Sequence, residues 1–164
     1  MSKVGTRLAV LVCAGALVLG AAGCYAPAPA PAGNCGMDSI SSQEVAWVNA
    51  DRAGAGLPGL AASGQLTCLA QSWSAHLAST NSFYHQNLGA VLNSPAYAGF
   101  NTLGENILQG PAGINAGSMN YAWMNSPEHR ANILSGAYRW IGIGVAYANG
   151  EVWATEEFFC PTAT

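Results

Sequence analysis

Ile141, Ile143, Val145 and Tyr147 alternate with Gly142, Gly144 and Ala146, and Asn149-Gly150 follows them directly. A period of two places the branched and aromatic side chains on one face of a strand. Asn-Gly is the strongest short-range hairpin signal, since both residues tolerate positive φ. Val152 to Phe159 then reads as the returning strand. The small residues on the first strand's other face permit close approach by a helix or a neighbouring backbone. Such a hairpin fits a fold in which helices pack on a small antiparallel sheet, an α+β arrangement.

The helices are written upstream. Ser41-Ser42-Gln43-Glu44 reads as a capping box, with Ile40 and Val45 as its hydrophobic staple. The first helix then runs through Trp47 and Val48 to about Arg52, and Gly54, Gly56 and Pro58-Gly59 break it. Leu66, Leu69, Ala70, Trp73 and Leu77 recur at helical spacing, giving a second amphipathic helix that ends near Asn81. His76 lies off that stripe and reads as a solvated surface residue. Met119, Ala122 and Trp123 indicate a short third helix. Segments 88–102 and 110–117 are rich in Gly, Asn and Pro and read as loops that border a cleft.

The densest local signal is Ser126-Pro127-Glu128-His129-Arg130-Ala131-Asn132-Ile133-Leu134. Ser126 suits an N-cap, with its hydroxyl accepting from a first-turn amide. Pro127 suits the position after it, and Glu128 complements the positive end of the helix dipole. Gly136 reads as the stop. His129 therefore projects from a rigid, electropositive helix start that favours a neutral imidazole, able to coordinate a metal or accept a proton.

Upstream of this run lie His85, in Phe83-Tyr84-His85, and then Gly104-Glu105-Asn106-Ile107. The order His, Gly-Glu-Asn-Ile, Trp-x-x-Ser-Pro-x-His-Arg-x-Asn-Ile-Leu resembles the bacterial branch of the CAP superfamily. These are SCP-type domains, related to cysteine-rich secretory proteins, antigen 5 and plant pathogenesis-related 1 proteins. The resemblance runs from about Ser39 to Phe158 and implies an α-β-α sandwich with a small antiparallel central sheet and a cleft on one side. It also implies that His85, Glu105 and His129 line that cleft and can hold zinc or another divalent metal, imidazole and carboxylate being the non-sulfur ligands zinc prefers. The second carboxylate of many eukaryotic relatives has no clear counterpart; Glu128 neighbours His129 on a helix and points elsewhere.

Relatives often carry Thr-Gln-x-Phe in the last strand, where this chain has Thr155-Glu156-Glu157-Phe158. Alternation sends one glutamate to each face, and an unpaired inward carboxylate is costly. Arg130 or Arg139 would be the partner of an inward one. The simpler reading is a solvated strand end with both glutamates as surface charges.

A chain of 164 residues suits one domain. Residues 1–23 read as an export signal, with Lys3 and Arg7 ahead of a short apolar run and small residues after it. Residues 24–38 form a Pro/Ala-rich spacer, 39–160 the domain and 161–164 a tail. Without the leader, Arg52, Arg130 and Arg139 stand against eight acidic residues, a formal charge of −5. That balance gives no electrostatic footprint for nucleic acid or anionic lipid. Ala21-Ala22-Gly23-Cys24 resembles a lipobox, apart from Ala21, so Cys24 is either the site of a lipid anchor or an ordinary residue of a secreted protein. Export makes at least one disulfide among the cysteines expected. Bonding Cys160 to Cys35 or Cys68 would tie down the C-terminus, while the pairing among Cys35, Cys68 and Cys160 stays open.

The expected role is an exported or surface-anchored binding module with a His/Glu cleft for a divalent metal, or, as the resemblance implies, a small lipid or sterol. No H-E-x-x-H helix or G-x-S-x-G elbow is present, so a conventional zinc protease or α/β-hydrolase is not expected. Two other readings remain: a metal-assisted hydrolase with Glu105 as base, and a structural envelope protein in which the triad only stabilises the fold.

Overall fold

The computed structural model describes residues 35–161. The segment expected to be an export signal, the expected lipobox at Cys24, most of the expected spacer and the last three residues lie outside the described residues. Among the described residues, five helices and four strands follow in the order α1 (Ser39–Gly54), β1 (Ala61–Ala62), α2 (Gly64–Thr80), α3 (Leu88–Leu92), β2 (Phe100–Pro111), α4 (Ala116–Met124), α5 (Pro127–Ile133), β3 (Trp140–Ala148) and β4 (Glu151–Pro161). The strands form one sheet in the order β1-β3-β4-β2. β4 is antiparallel to both neighbours, while the two-residue β1 lies parallel to β3. No helix among the described residues is long and apolar enough to cross a membrane.

Both sheet faces are covered, giving the expected three layers. On one face Val48 of α1, Met119 and Trp123 of α4 and Ile133 of α5 pack on Leu108, Ile141, Ile143, Ala154 and Phe158. On the other, Leu66 and Leu77 of α2 and Leu88 of α3 pack on Leu103, Ile107, Trp153 and Phe159. The hairpin forms as its sequence dictates, with Asn149 at φ 54° and Gly150 at φ 77°. The small face of β3 meets α2 backbone to backbone. A Cβ on Gly142 would lie 2.2 Å from the Leu66 carbonyl carbon, and one on Gly144 would lie 2.1 Å from the Gln71 nitrogen. Ser74 completes this seam, donating its hydroxyl to the Gly144 carbonyl at 2.9 Å.

Several local expectations change. Helix α1 begins before the proposed capping box: Asp38 is its cap and accepts from the Ser41 amide at 2.8 Å, which puts Glu44 on the buried face. Ser126 does occupy the N-cap of α5, but its hydroxyl makes no capping bond. Segment 88–102 is no single loop, since it holds α3, a 3-10 turn at Pro95–Tyr97 and the start of β2. Helix α2 ends as expected at Asn81, which takes the left-handed conformation. Cys35 bonds to Cys68, so neither can serve Cys160, which is also disulfide-bonded.

Candidate functional site

His85 and Glu105 meet at the β2 edge of the sheet. His85 leaves α2 four residues after its Asn81 cap, and its Nδ1 lies 2.5 Å from Glu105 Oε1. Glu105 projects from β2 toward the α2 layer, opposite Glu157 of β4 in the register. Its side chain is wholly buried, whereas the His85 ring keeps 8% of its surface. Gln86 braces the pair from the next position. Its backbone N–H donates to Glu105 Oε1 at 3.2 Å, and its Nε2 donates to Glu105 Oε2 at 2.8 Å. The same Nε2 also donates to Glu157 Oε1. Both oxygens of Glu105 are thus engaged.

Glu157 corrects the surface-charge reading. It and Glu156 are both fully buried, because helices cover the sheet on both faces and alternation leaves no solvated side. Neither arginine supplies the counter-charge. Arg130 is exposed, and Arg139 donates to the carbonyls of Gly136 and Tyr138. Burial first, and the Glu105 carboxyl second, push the Glu157 carboxyl well above the usual range, so it keeps its proton; the Gln86 amide pulls the other way. Glu156 points to the opposite face and accepts from Asn106 Nδ2 at 2.8 Å.

His129 is buried in the first turn of α5, while Glu128 beside it is exposed. Asparagines shared by the two motifs hold α5 to β2. Asn106 Nδ2 donates to the His129 carbonyl at 3.1 Å, and Asn132 Nδ2 donates to Asn106 Oδ1 at 2.8 Å and to the Glu105 carbonyl at 3.2 Å. Gly104 makes room for this docking: a Cβ there would lie 2.4 Å from the Tyr138 hydroxyl. The structure therefore joins His85 directly to Glu105. It docks the helix of His129 on the same strand through Asn106, whose side chain points to the face opposite that of Glu105.

A carboxylate on Nδ1 fixes the imidazole's tautomer and orientation, the arrangement that commonly backs a metal-ligating histidine. A metal ion would meet this ring at Nε2, with Glu105 as the orienting group behind it. Among the described residues, no three His, Cys, Asp or Glu side chains are grouped so as to hold an ion directly. The residues thus fit an imidazole-held ion better than one bound by the Glu105 oxygens. His76 is exposed as expected, but it is not simply solvated. It stacks on Trp73, with ring centroids 4.9 Å apart, and its Nε2 lies 2.5 Å from the Tyr84 hydroxyl.

Gln86, Asn106, Asn132, Glu156 and Glu157 complete the site, and sequence reasoning does not single them out as functional. Only the two glutamates carry a signal, as charges inside an apolar strand.

A three-layer domain with a carboxylate-oriented histidine at its sheet edge, and a second histidine helix sewn to that edge by asparagines, defines a class. The chain belongs to the cysteine-rich secretory protein (CAP) family, whose model matches residues 45–159. It is 33% identical over 127 residues to the uncharacterized protein YkwD of Bacillus subtilis, covering 73% of this chain but 48%, about half, of that relative. An extracellular protein with an SCP domain from Bacillus anthracis superposes with a TM-score of 0.61 at 27% identity, over 74% of this chain and 40% of that one. An outer surface protein of Borrelia burgdorferi shares the fold, with a TM-score of 0.63 at 17% identity, over 79% of this chain and 99% of that one.

Proposed function

We propose that this domain is a binding module of the extracellular space or cell envelope, whose cleft holds a divalent cation through His85 and His129. The observation that carries this reading is the His85–Glu105 contact at 2.5 Å, braced by Gln86. A buried carboxylate that meets the imidazole with one oxygen and is itself braced by Gln86 is an orienting device, and it prepares Nε2 for a ligand. The same geometry speaks against Glu105 as the base of a hydrolase, since both of its oxygens already accept hydrogen bonds. Export is supported by the pattern of residues 1–23, by the disulfide within the domain, and by relatives described as extracellular or outer-surface proteins.

Calorimetric titration with zinc tests the reading. His85→Ala and His129→Ala should each weaken binding while the domain stays folded. Glu105→Gln should weaken it by about 10–100-fold, the usual cost of losing an orienting partner. Equal zinc affinity in all four proteins would refute the cleft as a metal site.

A further inference from the structure

Helix α1 turns Ser41, Glu44, Val48 and Arg52 inward. Val48 packs in one cluster with Ile141, Ile143, Ala154 and Phe158 of the sheet. Glu156 lies between Ala154 and Phe158 on that same surface, opposite Ile143 of β3 and Asn106 of β2. Two carboxyls therefore face each other across the interface between α1 and the sheet, and both are essentially without solvent exposure. Both oxygens of Glu44 and Oε1 of Glu156 have no hydrogen-bond partner.

We propose that Glu44 and Glu156 form a proton-held latch, which fastens α1 to the central sheet while both are neutral and weakens that interface as they ionise. Among the described residues, no cationic group neutralises them in the charged form. Arg52, two turns along α1, gives its Nε and Nη1 to the carbonyls of Pro58, Ile133 and Ser135. Asp51 on the same helix is a further negative charge, engaged by Asn120 at 2.7 Å. Helix α4 carries no charged residue, and neither does β3. Strand β2 offers only the Asn106 amide, which also holds the backbone carbonyl of His129 in the first turn of α5.

Burial first, then Glu156 and Asp51, hold the Glu44 carboxyl up at about 10. Burial holds Glu156 at about 8, against the pull of the Asn106 amide. An unfolded chain releases these protons near 4.5. The latch's contribution is therefore complete below that value and declines as pH rises, with both groups contributing up to about 8 and Glu44 alone up to about 10. Each retained proton raises the unfolding equilibrium constant about tenfold per pH unit.

Denaturant unfolding of the wild-type domain, Glu156→Gln and Glu44→Gln across the window from about 5 to 8 tests this. The logarithm of the unfolding constant should rise more steeply in the wild type than in either variant, by about one per pH unit. Glu157 and every other titrating group are common to all three proteins and cancel in the comparison. Should a variant fail to fold, the side-chain carboxyl carbon resonances of the wild type give the two midpoints directly, expected near 8 and 10. Equal slopes, or midpoints near 4.5, overturn the proposal.

Discussion

Gly144→Ala probes the contact on which the layer order depends. The added Cβ would lie 2.1 Å from the Gln71 nitrogen, 2.3 Å from the Ala70 carbonyl carbon and 2.4 Å from the Gln71 Cα, all of them backbone atoms of α2. Ordinary contact begins at 3.4 Å, so the helix must retreat by more than an ångström at that point. Retreat there pulls on the Ser74 hydroxyl bond to the Gly144 carbonyl and on the Gln71 pair with Val145. It also opens the packing of the fully buried Leu66 and Leu77. Overpacking of this kind costs about 1–3 kcal/mol when flexible side chains can give way, and here only backbone can move, so a loss of at least about 3 kcal/mol is expected. Equilibrium denaturation read by far-UV circular dichroism measures it. Gly54→Ala is the control: nothing lies within 4 Å of the new atom, and the helical position should gain about 0.5 kcal/mol. A Gly144→Ala protein with a wild-type midpoint would refute the seam.

Arg52→Met removes charge-assisted bonds to the carbonyls of Pro58, Ile133 and Ser135 and should cost about 3 kcal/mol. The exposed Arg130→Met should cost almost nothing in the same equilibrium denaturation. Cys68→Ser opens a covalent loop of sequence separation 33 and should lower stability by about 3–4 kcal/mol; a melt equal to that of the oxidised wild type would contradict this. For Glu157, burial and the Glu105 carboxyl raise the folded value, so its contribution is complete below about 4.5 and is lost as pH rises. The stability difference between Glu157→Gln and wild type should therefore move in the variant's favour from acid to neutral pH, and a pH-independent difference would count against a retained proton.

The hairpin, and α2 with its end near Asn81, are legible because each rests on local pattern, while the nearness of His85 and Glu105 is implied by the family resemblance. Glu156 and Glu157 mislead because alternation says which face a residue takes but not whether that face is wet. With α1, α4 and α5 on one side of β4 and α2 on the other, both faces are dry. Asp38 displaces the capping box. Ser41 has the right chemistry, but so does Asp38 three residues earlier, and its carboxylate accepts from the Ser41 amide. Asn106 and Asn132 have no signal beyond the motifs that contain them, and Gln86 has none, since their partners come from elements far away in the chain.

The Cys35–Cys68 bond ties the chain just ahead of α1 to the second turn of α2, and all of α1 lies inside the loop it closes. Tension that reaches Cys35 would pass through sulfur into α2 and from there into the glycine seam at the middle of the sheet. Helix α1 is bypassed and carries no load. A pull that reaches Cys35 is thus borne by the close-packed seam between α2 and β3, while the helix that holds Glu44 stays mechanically slack.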